Sequence, residues 1–148
     1  MKVYFDSNIV IDILKRREPH YKNSYDILML AINEEIEGII NASSITDIFY
    51  LLNKEFKDTK TTVSVIFDIL EIIKPVDILV NDLYSAKNME FLDFEDAVVS
   101  AVSQREKAEY IITRNKDDFS KSVVPAVTPL EFLGKFANAM PCTENKHQ

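Results

Sequence analysis

Three short apolar runs limit what this chain can fold into. V-Y-F at 3–5, I-I-N at 39–41 and Y-I-I-T at 110–113 are too short for helices and show no alternation of apolar and polar positions. Runs of this kind suit strands buried on both faces, and such strands belong to parallel sheets. Parallel neighbours need long crossover connections, and the intervening sequence offers helices for that purpose. One spans Ile9–Leu14 and ends in Lys15, Arg16 and Arg17, which match the negative end of a helix dipole. A second spans Tyr21–Asn33, with Gly38 following its end. A third starts at Ser43 or Ser44 and carries Ile45, Ile48, Phe49, Leu51 and Leu52 at helical spacing. Val63–Ile73 reads as a fourth, stopped by Lys74 and Pro75, with K-D-T-K-T-T before it as a polar loop. Further helices are predicted from Asn81 or Asp82 to Asn88, from a cap near Asp93 onward, and from Pro129 to about Ala139. Two more strands are predicted, at Val76–Leu79 and, as an edge strand broken by Pro125, at Val124–Val127. The expected fold class is α/β, with three layers: a central parallel sheet of about four to five strands flanked by helices.

The chain has 148 residues, 47% hydrophobic and 28% charged, which fits one domain over residues 1–140, with 141–148 expected as a disordered tail. A formal net charge of -7 argues against holding nucleic acid by overall attraction, because Lys and Arg contacts to phosphate supply most non-specific affinity. It leaves open a nucleic-acid substrate bridged by metal. The single Cys142 cannot form an internal disulfide, no signal segment opens the chain, and no apolar run approaches the roughly 20 residues a membrane span needs. A cytoplasmic protein with no membrane partner is expected. His20 and His147 stand apart, one in a loop and one in the tail, which argues against histidine catalysis or a zinc site. With glycine only at Gly38 and Gly134, no phosphate-cradling glycine loop exists.

Ligand sites in parallel sheets lie at the carboxyl ends of the strands, and acidic residues gather there in this sequence. Asp6 ends the first strand. Asp47 lies in the first helical turn after the second. R-N-K-D-D-F follows the fourth, so Asn115, Asp117 and Asp118 emerge at the same edge. Asp93 and Asp96, three apart at a helix start, share one face, and Asp96 leads into the apolar A-V-V-S-A. Each acid has an ordinary explanation: Asp6 or Ser7 as helix cap, Asp93 as cap, Asp47 as a charge serving the helix dipole, Asp117 as a solvated loop residue. Together they would repel one another, as expected where hard divalent cations such as Mg²⁺ or Mn²⁺ supply the missing positive charge. Such ions activate water and stabilise charge developing on phosphate, so the implied chemistry is phosphodiester hydrolysis.

V-Y-F-D-S-N-I-V-I-D-I-L, S-S-I-T-D-I-F-Y-L-L, L-D-F-E-D-A-V-V-S-A-V and A-E-Y-I-I-T-R-N-K-D-D-F, in this order, resemble the PIN domain family, which includes the VapC-like toxins of toxin–antitoxin pairs. The resemblance runs from Lys2 to about Phe136. It implies a metal-dependent ribonuclease with an acidic quartet of Asp6, Asp47, Asp96 and Asp118, using Mg²⁺ or Mn²⁺. Ser7 and Thr113 would be supporting hydroxyls, Ser7 doubling as the helix cap, and Asn115 the polar residue ending the T-R-N turn. Asp47 is one methylene shorter than the Glu common at that family position. Asn115, Asp117 and Asp118 compete for the fourth place, and Asp118 is favoured because Phe119 beside it should anchor the loop by packing. The resemblance also implies an RNA substrate, a small antitoxin partner and a homodimer. Lys15, Arg16, Arg17, Arg114 and Lys116 are candidate RNA contacts, and the apolar stripes in Tyr50–Phe56 and Val63–Ile73 are candidate partner surfaces or ordinary core. A PIN-like binding module without efficient turnover, and a nuclease of RNA maturation, are the competing readings.

Overall fold

The computed structural model describes residues 1–139; the tail predicted at 141–148 lies outside the described residues. The elements run β1 (Lys2–Phe5), α1 (Ser7–Leu14), α2 (Tyr21–Ile32), β2 (Glu37–Asn41), α3 (Ser44–Phe56), α4 (Thr59–Leu70), β3 (Ile73–Val76), α5 (Val80–Lys87), α6 (Phe94–Arg105), β4 (Tyr110–Ile112), a 3₁₀ turn (Lys116–Phe119), β5 (Ala126–Val127) and α7 (Pro129–Ala139). The five strands form one sheet in the order β3-β2-β1-β4-β5, with every pairing parallel. Strand alternation divides the core in two. Val3, Phe5, Ile40, Ile73, Ile112 and Val127 point to one face, where they meet the apolar sides of α1 to α4 and Phe132 of α7. Tyr4, Ile39, Val76 and Ile111 point to the other, against Ala97, Val98, Ala101 and Val102 of α6.

This order places the site. From β1 to β3 the chain moves steadily to one side; it then crosses back over β2 and β1 to lay β4 on the far side of β1. Crossovers keep one hand, so reversing direction moves the connecting helices to the opposite face, as α5 and α6 are. The carboxyl ends of β1 and β4 therefore flank a topological switch point, where open α/β sheets leave a crevice for ligands. Arg105 fastens the helix pair on that second face. Its Nε donates to both oxygens of buried Asp82 at 3.0 and 3.1 Å, and a second nitrogen donates to the carbonyl of Asp77 at 2.6 Å.

Three local expectations are corrected. The third strand occupies Ile73–Val76 rather than Val76–Leu79, so Pro75 lies inside it. β3 pairs only with β2 and forms an edge, where a residue without an N–H is tolerated. The K-D-T-K-T-T segment is largely helical: Asp58 precedes α4, and Thr62 donates to the carbonyl of Asp58 and to Asn53 Oδ1 of α3, each at 2.9 Å. The second strand starts at Glu37 rather than Ile39, so Gly38 lies within β2 beside Val3, and the left-handed residue after α2 is Glu34, with φ of 58°.

Close approach explains the glycine there. A Cβ at Gly38 would stand 2.7 Å from Cε2 and 3.2 Å from Cδ2 of Phe5. Phe5 is fully buried and cannot swing away cheaply. Gly38→Ala is expected to cost about 1–3 kcal/mol as an overpacking change. Chemical denaturation checks it, and an unchanged midpoint would show that the ring has room to move.

Candidate active site

Asp6 leaves β1 in extended conformation and caps α1. Its backbone N–H donates to the carbonyl of Ile112 at 2.9 Å, continuing the β1–β4 ladder one residue past the strand. Its Oδ1 accepts from the backbone N–H of Ser7 at 2.9 Å; its Oδ2 accepts from Thr113 Oγ1 at 2.7 Å and from Asn8 Nδ2 at 3.3 Å. The cap is thus Asp6 itself and not Ser7, which supports it through a backbone N–H. Thr113 is fully buried just past β4, and its hydroxyl accepts in turn from the backbone N–H of Asn115 at 3.1 Å. One hydroxyl therefore joins the ends of the two central strands and shapes the following loop.

The other acids arrive on different elements. Asp93 caps α6, its Oδ1 accepting from the backbone N–H of Asp96 at 3.2 Å, and so holds Asp96 in the first turn. Asp118 rides on the 3₁₀ turn, which Phe119 anchors by burial and an edge-to-face contact with Phe91 at 6.3 Å. A cleft of about 460 Å³ opens between these elements, lined by Glu90, Asp93, Asp96, Asp117, Asp118 and Lys121 among others. Asp47, exposed in the first turn of α3, approaches from the side of β2.

These carboxyls act on one another through their charges. Burial pushes the Asp6 carboxyl up, the Thr113 hydroxyl and the Ser7 N–H oppose it, and the charge of Asp118 raises it again. The Asp96 carboxyl is pushed up to about 7, first by burial and then by Asp93, Asp6, Asp118 and Glu95. Glu95 is raised by burial, then by Asp47, Asp93 and Asp6. Asp93, Asp96, Asp117 and Asp118 thus share one cleft, and the charge of Asp6 acts on Asp96 while that of Asp47 acts on Glu95. Asn115 adds its backbone to the Thr113 hub, while its side chain is exposed and makes no capping bond.

Sequence reading passed over three participants. Glu95 is a fifth acid, flanked in the chain by the Asp93 cap and Asp96. Asn8 bridges the loops, its Nδ2 near Asp6 and Thr113 and its Oδ1 accepting from the backbone N–H of Arg114 at 3.5 Å. Asp12, fully buried in α1, stands 2.7 Å from Nε of Arg114. The Nε–H does not point along that line, so the pair is chiefly a charge attraction. A lone acid inside I-V-I-D-I-L was the available signal, since a buried charge demands a partner. Arg114 is thus engaged rather than free, as are Lys15 with Glu55 at 3.7 Å and Lys116 with Glu131 at 2.7 Å.

The donor set is all oxygen and strongly anionic, which fits a hard divalent cation. Among the described residues, no three acidic, histidine or cysteine side chains are close enough to hold an ion as they stand.

The sequence profile of the PIN domain matches residues 2–117. The chain belongs to the PIN domain family. Ribonuclease VapC1 of Aquifex aeolicus (strain VF5) is 24% identical over 144 residues, covering 91% of this chain and 95% of that protein. The fold is similar to VapBC2 from Rickettsia felis, solved bound to a DNA fragment from their promoter, with a TM-score of 0.67 and 15% identity over 86% of this chain and 98% of that one. It is also similar to a toxin-antitoxin complex from Klebsiella pneumoniae, with a TM-score of 0.61 and 21% identity over 86% of this chain and 97% of that one. These likenesses establish the PIN fold. No helix among the described residues is long and apolar enough to cross a membrane.

The raised Asp96 carboxyl links stability to pH in this PIN domain. It keeps its proton to about pH 7 in the folded chain but only to about 4 when unfolded. Between those values the folded state binds more protons, so metal-free stability falls as pH rises through that window. Asp96→Asn is expected to change little at pH 4 and to raise the melting temperature at pH 8 by about 3 °C, a discount to about 1 kcal/mol being made for solvent screening. Melting curves in chelator across pH test this; a shift of equal size at both ends would contradict it.

Proposed function

We propose that this PIN domain is a Mg²⁺- or Mn²⁺-dependent endoribonuclease and the toxin of a toxin–antitoxin pair. The observation that carries the reading is Asp6 at the switch point between β1 and β4, held by Thr113 and within the electrostatic reach of Asp118 and Asp96, which line the adjoining acidic cleft. The activity in the name of the Aquifex relative and the toxin–antitoxin complex among similar folds support it. Asp6, Asp96 and Asp118 would hold the cation, with Asp47 as a further ligand or a water-positioning acid. Exposed Asp118 and Asp47 must turn inward to complete the shell. A bound divalent ion supplies an activated water and stabilises charge on the phosphodiester. The chain's own part is orientation: Thr113, Asn8 and the Ser7 N–H fix one face of Asp6, and the Asp93 cap fixes the turn carrying Asp96. The ligands must be ionised, so metal affinity and cleavage should rise with pH up to about 7 as Asp96 loses its proton.

An antitoxin partner, a homodimer and a cytoplasmic setting belong to the same proposal. The expected apolar stripes divide between two roles: Leu52, Ile66 and Ile69 are core, whereas Tyr50, Val63 and Phe67 are exposed and remain candidates for contact. Asp6→Asn should lower cleavage of single-stranded RNA at least about 100-fold, the scale of losing one preorganised electrostatic group, with an unchanged circular dichroism spectrum. Full ribonuclease activity in that variant would sink the assignment.

A further inference from the structure

A second cavity, of about 320 Å³, opens at the carboxyl end of the sheet and is lined by Pro19, His20, Asn23, Arg114, Thr128, Pro129 and Leu130. Arg114 forms its charged wall and directly follows Thr113, the hydroxyl that holds Asp6. Its backbone N–H lies against Asn8 Oδ1, and Asn8 reaches Asp6, so the cavity wall is joined to Asp6 through one side chain. Asp12 sits fully buried behind the guanidinium at 2.7 Å and leaves 29% of the Arg114 side chain exposed. That counter-ion orders the arginine before any ligand arrives, which lowers the entropic cost of binding. The amino ends of α2 and α7, of 12 and 11 residues, open onto the same cavity and add partial positive charge. His20 precedes α2 without spending its side chain on a capping bond, so its ring is free to stack. Pro19, Pro129 and Leu130 give the remaining wall an apolar surface.

We propose that this cavity is a nucleotide subsite, taking the base and phosphate of a single-stranded RNA residue next to the scissile phosphodiester. The inference rests on the ribonuclease reading and deepens it. A cavity of this size suits one nucleotide. Histidine rings and arginine planes are usual stacking surfaces for unpaired bases, and a guanidinium matches phosphate oxygens. The charge complementarity is local: beside acids that repel RNA, a fixed cation holds the strand in place. Arg114 therefore has two jobs, compensating Asp12 inside and meeting phosphate outside.

The test leaves Arg114 intact, since its removal would strand Asp12. In an Asp6→Asn background, binding of a fluorescent single-stranded RNA is measured by anisotropy in magnesium buffer. Leu130→Glu places a carboxylate at the cavity mouth, and His20→Ala removes the stacking ring. Each is expected to weaken binding about tenfold, the scale of one lost base stack. Ile32→Glu adds the same charge at the opposite edge of the sheet, beside Glu34 and Glu35, and should shift affinity less than about twofold by the weakness of exposed charges. In the otherwise wild-type enzyme, Leu130→Glu should raise KM and spare kcat. Equal affinity in all variants, or equal loss with Ile32→Glu, overturns the subsite while the ribonuclease reading stands. No RNA binding by the Asp6→Asn parent, together with no cleavage by the wild type, overturns both.

Discussion

The hydrogen bond from Thr113 Oγ1 to Asp6 Oδ2, 2.7 Å long, ties together the two strand ends that border the switch point. Without it, Asp6 would be held only by the Ser7 N–H and Asn8, and the start of the loop after β4 would lose its direct link to β1. The same hydroxyl accepts from the Asn115 N–H, so the start of the loop carrying Asp118 is set by the residue that orients Asp6. A buried hydroxyl with all its capacity engaged is a rigid part. The strand order makes that economy available, since β1 and β4 lie side by side where the chain reverses its direction across the sheet.

Two charge problems, one on each side of that hydroxyl, are handled differently. On one side the charges of Asp6, Asp93, Glu95, Asp96 and Asp118 act on one another, and Asp96 and Glu95 are held above their ordinary range by burial and by their neighbours. On the other side Asp12 is buried without solvent and answered by Arg114. Breaking such a buried pair by deleting one partner typically costs about 3–5 kcal/mol, so Arg114 is fixed by the fold as well as available at the surface. The first arrangement suits an external cation; the second carries its own.

Much of this was legible in the sequence because parallel strands and helix caps leave strong local marks. V-Y-F and Y-I-I read as strands because strands buried on both faces are continuously apolar, and Asp93 reads as a cap because aspartate is a preferred residue there. The strand-end rule and the PIN resemblance point to four acids, of which Asp96 and Asp118 line one cleft while Asp6 ends β1 under the Thr113 hydroxyl. The misreadings have physical causes. Pro75 looks like a stop until β3 is known to be an edge. K-D-T-K-T-T looks like a loop until Asp58 and Asn53 take up the threonine hydroxyls. Arg114 looked like a free cation because its partner is a hundred residues away, and Glu95 was hidden between two more familiar acids.

The central claim is that the repulsion among Asp6, Asp96 and Asp118 is relieved by a divalent cation in the crevice between β1 and β4. A crystal structure with Mn²⁺, read by anomalous scattering, tests this most directly. The account predicts one or more manganese peaks within ligating distance of Asp6, Asp96 and Asp118, with the Thr113 contact to Asp6 retained. Manganese bound only elsewhere, with those three carboxylates unliganded, would contradict it.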